Sequence, residues 1–324
     1  MTSADRAASV PAFEVLTMGR VGVDIYPHQI GVGLEDVTSF GKYLGGSPTN
    51  VAVAASRHGR RSAVITRTGD DPFGRFIHES LRAFGVDDRY VTSVPSLPTS
   101  VTFCEIFPPD SFPLYFYRFP KAPDLEITTD SLDLAAISAA DVFWITSTGL
   151  CDEPSRSATM AALEARGRRG ITILDLDYRP MFWSSREAAH EAIQAALPHV
   201  TVALGNLEEC AVAVGESEPA AAAAALLSAG VELAVVKQGP AGVLGARASA
   251  SIVVPPMAVE VVNGLGAGDA FGGALCHGLL ASWGIERLLR FANAAGAVVA
   301  GRLACADAMP TTAELEALLQ GVGS

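Results

Sequence analysis

Charge is scarce in this chain of 324 residues, and cysteine is scarcer. Asp, Glu, Lys and Arg together make up 18%, against 49% hydrophobic residues. That balance excludes a disordered chain and fits a well-packed globular protein. Basic residues are the rarer sign, 23 against 35 acidic ones, for a formal net charge of -12. Such a surface disfavours nucleic acid or an anionic membrane as partner, and an anionic ligand would need a local basic site. The 5 cysteines, Cys104, Cys151, Cys210, Cys276 and Cys305, are dispersed with no CxxC pair. That spacing excludes zinc knuckles and thioredoxin chemistry and suits a reducing cytoplasm. No apolar run approaches the roughly 18 residues of a membrane span. The opening MTSADRAASVPAF lacks the apolar core of a secretory signal. Two phosphate-binding signatures are missing as well: there is no GxxxxGK[ST], and no GxGxxG with an acidic residue downstream.

What is present is a rhythm. Residues 1–12 read as a loose tail. Short apolar runs at 15–18, 63–66, 142–145, 171–174, 200–204 and 233–236 have the length of buried strands. Amphipathic helical patterns at 73–84, 156–166, 187–196 and 220–227 fall between them. This alternation predicts an α/β fold whose mostly parallel sheet is covered on both faces. The last third turns helical, at 267–280, 286–301 and 312–319. Residues 23–44 and 101–118 break the rhythm with alternating, aromatic stretches such as TFCEIF and LYFYRF. They predict a small β lid made from two insertions, spanning about 23–44 and 96–122.

The sequence VVNGLGAGDAF at 261–271 points to chemistry. It reads as an apolar strand running into a glycine turn that opens a long helix. Amides of Gly266, Ala267 and Gly268 at a helix N-terminus suit the charge that builds on a moving phosphoryl group. Asp269 stands in the first turn, where its carboxylate can take a proton from an attacking hydroxyl. The same stretch also reads as an ordinary glycine turn with a helix-stabilising acid. Near the N-terminus, Gly45 and Gly46 permit close approach to a ligand, Pro48 suits a helix start, and Asn50 offers a donor and an acceptor to hydroxyls. A plain turn before a buried helix is the simpler reading there.

The string DLDYRPMFW at 175–183 follows an apolar run, at the strand end where open α/β sheets bind ligands. Arg179 can hold a carboxylate bidentately, or else pair with Asp175 or Asp177. Arg118 is a second cationic candidate and Lys42 a third.

Gly45–Asn50 followed far downstream by Gly266–Asp269 resembles the paired signatures of the ribokinase-like (PfkB) carbohydrate kinase family, over essentially the whole chain. The resemblance implies a three-layer kinase domain at 13–322. It implies MgATP as phosphoryl donor and Asp24 as a carboxylate for substrate hydroxyls. Asn206 and Glu209 match an NxxE that organises magnesium, Glu209 acting through water. Lys237, Gly239 and Gly242 match a KxGxxG turn flanking the nucleotide, and Asn293 a residue beside the adenine. Asn263 and Gly264 stand where the family usually has Asp-Thr, a pair that helps hold a monovalent cation. That departure puts potassium activation in question. The 175–183 string is similar to the branch of the family that phosphorylates 5-dehydro-2-deoxy-D-gluconate, which implies a sugar-acid substrate phosphorylated at its terminal (C6) hydroxyl. A 2-dehydro-3-deoxygluconate kinase, a fructokinase, a nucleoside kinase and a non-catalytic sensor on the same fold remain alternatives. A lid with open edges predicts a homodimer.

Overall fold

The computed structural model describes residues 12–321. Apart from Ala12, the expected 1–12 tail lies outside the described residues.

Among the described residues, fourteen strands form two sheets. The large one follows the order β14 (Ala250–Val254), β13 (Val243–Arg247), β12 (Leu233–Lys237), β11 (Val202–Asn206), β10 (Ile171–Asp175), β9 (Val142–Thr146), β1 (Val15–Met18), β4 (Ser62–Gly69) and β5 (Val86–Asp87). A further strand, β6 (Val91–Val94), also pairs with β4. Pairing is parallel from β12 through β5, and the β12–β13–β14 edge is antiparallel. The apolar runs become central strands because both of their faces are buried. Side chains alternate between two cores: Val15, Val64, Trp144, Ile173 and Val235 on one side, Leu16, Ile65, Phe143, Leu174 and Val236 on the other.

Helices α1 (Ser47–Arg57), α2 (Pro72–Ala83), α8 (Ala267–Leu280), α9 (Ile285–Ala300) and α10 (Thr312–Gly321) cover the first face. Helices α3 (Leu134–Ala139), α4 (Ser155–Arg166), α5 (Arg186–Ala196), α6 (Leu207–Val214) and α7 (Pro219–Ser228) cover the second. The result is a three-layer sandwich. No single described helix is long and apolar enough to cross a membrane.

The small sheet runs β3 (Phe40–Gly45), β2 (Gly22–Pro27), β7 (Val101–Cys104), β8 (Leu114–Tyr117). Its strands come from the two stretches that break the α/β rhythm, and it stands at the carboxyl ends of the large sheet's strands.

The strand expected at 261–262 does not form. The amides of Val262 and Asn263 both donate to Ala300 O, at 2.8 and 3.1 Å, so this segment is tied to the end of α9 and not to a strand edge. The β13–β14 hairpin, which the apolar-run reading passed over, occupies the sheet edge just before it.

Candidate active site

Two helix N-termini converge on one carboxylate. α1 and α8 pack closely because small residues face each other: a methyl on Gly273 would overlap Ala54 Cβ, and one on Gly272 would come 2.6 Å from the Trp144 ring. This contact carries the first turn of α1 to the first turn of α8. There Ser47 Oγ donates to Asp269 Oδ1 at 2.7 Å, and Asn50 Nδ2 donates to Oδ2 at 2.8 Å. Both turns need glycine. Gly46, at φ 102, and Gly266, at φ 81, precede the helices in backbone conformations that other residues rarely adopt. Burial raises the Asp269 pKa, while the Asn50 and Ser47 donors and the Arg20 charge pull it back. The net direction is upward, which makes a stronger base than a free aspartate. Asp269 makes no ion pair among the described residues and is partly open to a cleft.

The strands deliver the rest of the cleft from their carboxyl ends, as open α/β sheets do. β10 ends at Asp175 and continues to Asp177 and Arg179; β12 ends at Lys237; β1 leads to Arg20. Asp177 is buried and lies between two cations: Arg20 Nη2 at 3.1 Å from Oδ2, and Arg179 Nη2 at 2.9 Å from Oδ1. Burial alone would raise the Asp177 pKa, but Arg179 and Arg20 outweigh it and hold it low. Asp175 goes the other way, raised by burial with Lys237 opposing. For Lys237, burial is outweighed by Asp175 and Glu209, so the ammonium stays charged. Its Nζ lies 3.6 Å from where a methyl on Gly268 would stand, beside the α8 N-terminal amides. Main-chain donors, a helix terminus and a lysine therefore face one spot next to Asp269, an arrangement that stabilises a transferring anionic group.

The small sheet supplies the facing wall. Tyr26 Oη donates to Asp24 Oδ2 at 3.1 Å, and Asp24 is pushed up to about 6 by burial, against the Tyr26 hydrogen bond and Arg20. The Asp24 carboxylate folds over the bare Cα of Gly45, where any side chain would collide with it. Leu114 and Phe116 of β8 also border the cleft, and Phe112 closes on Gly264.

The cleft thus gathers Asp24, Gly46, Asn50, Arg179, Lys237, Glu209, Gly264, Gly266, Gly268 and Asp269 of the residues singled out in the sequence. Other candidates stand elsewhere. Arg118 turns away to Asp124, 2.8 Å from its Oδ2, and lies over the Phe182 ring. Lys42 caps the Phe76 ring with Nζ 3.8 Å from its centroid. Asn206 is exposed and forms a capping box with Glu209, whose carboxylate still borders the cleft. Gly239 and Gly242 shape a tight turn after Lys237, closed by Gln238 N donating to Gly242 O at 2.8 Å. Asn293 borders a separate cavity with Pro255, Met257, Arg287 and Arg290. Ala267 lies within the α8 N-terminus. Sequence reasoning passed over Arg20, Tyr26, Ser47, Asp175, Asp177 and Cys305 as cleft residues. For Ser47, a hydroxyl inside the GGSP turn was an available signal. For Arg20 there was none beyond its place just after the first strand.

The model of the family described as pfkB family carbohydrate kinase matches residues 13–312. The chain belongs to the pfkB family of carbohydrate kinases. It is a phosphotransferase that acts on a sugar hydroxyl. Among its curated pfkB relatives, the 5-dehydro-2-deoxygluconokinase of Shouchella clausii is 32% identical over 315 residues, covering 95% of this chain and 96% of the relative. The protein of that name from Photobacterium profundum is 32% identical over 308 residues, covering 92% of each. Solved pfkB-like folds include the ATP-bound fructokinase of Xylella fastidiosa, at TM-score 0.84 and 25% identity, covering 96% of this chain and 99% of that one. A fructokinase double mutant from Vibrio cholerae, solved with fructose, ADP and potassium, superposes at TM-score 0.83 and 27% identity, with 96% and 99% coverage.

Asn263 and Gly264 stand where the family resemblance implies an Asp-Thr pair. Asn263 is fully buried; its Nδ2 donates to Leu303 O at 2.7 Å and its Oδ1 accepts from Leu265 N at 3.1 Å. A neutral amide thus ties the 263–266 turn to Leu303 of the 301–305 loop. At position 263 the chain therefore offers a monovalent cation no carboxylate, and the amide that stands there is already engaged.

Proposed function

We propose that this chain transfers the γ-phosphoryl group of MgATP to the terminal (C6) hydroxyl of 5-dehydro-2-deoxy-D-gluconate. The observation that carries the kinase chemistry is the pairing at Asp269: a base held by two neutral donors, beside amides and an ammonium aimed at the same spot. The acid substrate is supported by the two arginines that flank Asp177 in a cleft otherwise rich in carboxylates. The names of the curated relatives support the same substrate.

In this reading Asp24 and Asn50 hold hydroxyls of the sugar, and Asp269 takes the proton of the C6 hydroxyl as its oxygen attacks in line. The amides of Gly266, Ala267 and Gly268, with Lys237, stabilise the charge on the transferring group. The small sheet keeps water from the reacting oxygen. The nucleotide extends past the 239–242 turn, with Asn293 beside its base. Among the described residues no cluster of three or more His, Cys, Asp and Glu side chains is placed to hold a metal alone. The Asp175 and Glu209 carboxylates fit a magnesium ion that arrives with the phosphates and keeps its waters. When bound, magnesium would neutralise phosphate charge. We also infer a homodimer built on the small sheet, because Tyr115, Tyr117 and Phe119 at its β8 edge are exposed by 43%, 62% and 81%. Light scattering would then give about twice 33.6 kDa.

The test is a coupled ADP-release assay across 5-dehydro-2-deoxygluconate, 2-dehydro-3-deoxygluconate, fructose and a nucleoside. Highest kcat/KM on the first supports the proposal. Preference for fructose or the nucleoside overturns the substrate, and absence of turnover with all four favours a sensor.

A further inference from the structure

Arg20 belongs to none of the motifs that identify the family, yet the structure gives it a prepared place in the cleft. Its backbone is fixed on two sides: its carbonyl accepts from Thr49 Oγ1 at 3.2 Å, and Gly46 packs so closely on that oxygen that a methyl there would collide with it. Its side chain is only 12% exposed and borders the active-site cleft. A guanidinium carries five N–H donors. Among the described residues Arg20 has one hydrogen-bond partner, Asp177, and its Nε is buried with none. Arg179 repeats the pattern, with its own Nη2 on the other oxygen of Asp177 and its own Nε buried without a partner.

Asp177 has both oxygens engaged, so its charge is shared by two guanidinium groups that it cannot both neutralise. The trio by itself carries one net positive charge, and each arginine keeps a buried Nε with no partner, although the Arg179 side chain as a whole is 34% exposed. Leaving such donors unmet is costly. A ligand carboxylate would supply both the missing charge and the missing acceptors, in the planar geometry that guanidinium groups match.

We propose that Arg20 is a specificity-determining residue, which with Arg179, across the Asp177 bridge, forms a clamp for the carboxylate of the sugar acid. The inference rests on the sugar-acid reading given above. A rival role is available: the charge of Arg20 also acts on Asp269 and Asp24, favouring their ionised forms. A residue acting only in that way would affect every substrate alike.

The experiment measures kcat/KM on 5-dehydro-2-deoxygluconate and on its neutral analogue, with CH2OH in place of the carboxylate. The proteins are wild type, Arg20→Gln and Arg20→Lys, each checked for a native melting transition. Losing charge-assisted hydrogen bonds to a carboxylate should lower the acid-to-neutral ratio of kcat/KM by on the order of 10- to 100-fold in Arg20→Gln, mainly through KM. Arg20→Lys keeps the charge without the fork and should recover part of the ratio. If Arg20→Gln does not fold, a lowered ratio in Arg20→Lys supports the clamp and an unchanged one overturns it. An unchanged ratio in Arg20→Gln, with both substrates falling together and the acid limb of both pH profiles moving upward, assigns Arg20 to the field around Asp269 and refutes the clamp. A wild type that prefers the neutral analogue would overturn the sugar-acid reading and the clamp together. A wild type that prefers the acid, with a variant ratio unaltered, would overturn the clamp alone.

Discussion

Replacing Ser47 by alanine removes one of the two hydrogen bonds that hold Asp269 ionised, with little change in shape. The bond is 2.7 Å long, from Ser47 Oγ to Oδ1. A hydrogen bond to a charged group is worth about 1.5–3 kcal/mol, and about 1.36 kcal/mol corresponds to one pKa unit. Asp269 is partly open to the cleft, so water takes up some of the lost bonding. The working expectation is therefore the low end, a rise of about 1 unit. The sign follows from the chemistry. Asp269 acts as a base only when deprotonated, so a raised pKa shrinks the competent fraction at low pH. The acid limb of kcat/KM should move up by about 1 pH unit while the high-pH plateau stays close to that of the wild type. The assay is coupled ADP release between about pH 5 and 9 with saturating MgATP. Asp269→Asn is the control and should lose at least about 100-fold at every pH. An acid limb that stays put in Ser47→Ala, or moves down, refutes the argument that Ser47 tunes the base. A substantial rate in Asp269→Asn refutes the assignment of the base itself.

Three further outcomes can be measured. Gly273→Ala forces a methyl against Ala54, so it should lower stability by about 1–3 kcal/mol; a thermal melt reads that loss, and kcat should fall with it as Ser47 and Asn50 shift from Asp269. His58 is buried and held neutral, its pKa pushed down to about 3 from 6.5 by burial and by neighbouring His277 and arginines. The unfolded chain protonates it first, so its contribution is present above pH 6.5 and is lost as pH falls toward 3. Between pH 7 and 5 this should cost about 2 kcal/mol in urea unfolding, a loss that His58→Asn removes by difference. The Asn263 amide already bridges to Leu303 O, so exchanging potassium for tetramethylammonium should leave kcat unchanged, whereas Asn263→Asp should acquire a dependence on potassium.

Much of this molecule was legible in one dimension. Strands such as β1 and β9 are short, fully buried and apolar but for one threonine each, so composition and length identify them without reference to neighbours. The glycines before α1 and α8 are equally local, because a left-handed φ demands glycine wherever it occurs. Asp269 was visible for the same reason: its place in a first helical turn after a glycine turn is set by four adjacent residues.

Other features depended on which segments meet. Val261 and Val262 have strand composition, yet the nearest acceptor for this backbone is the end of α9, so no ladder forms. Arg118 had the right charge and neighbourhood, but Asp124, six residues on, captures it at 2.8 Å. Arg20 and Asp177 are separated by 157 positions, and nothing in either local sequence indicates the other. The sequence by itself determined the periodic elements and the glycine-opened helix ends, because these obey backbone rules acting over a few residues. Only the tertiary structure decided which charges would share a desolvated space, since the field at each carboxylate comes from side chains brought together by the parallel crossovers of the sheet.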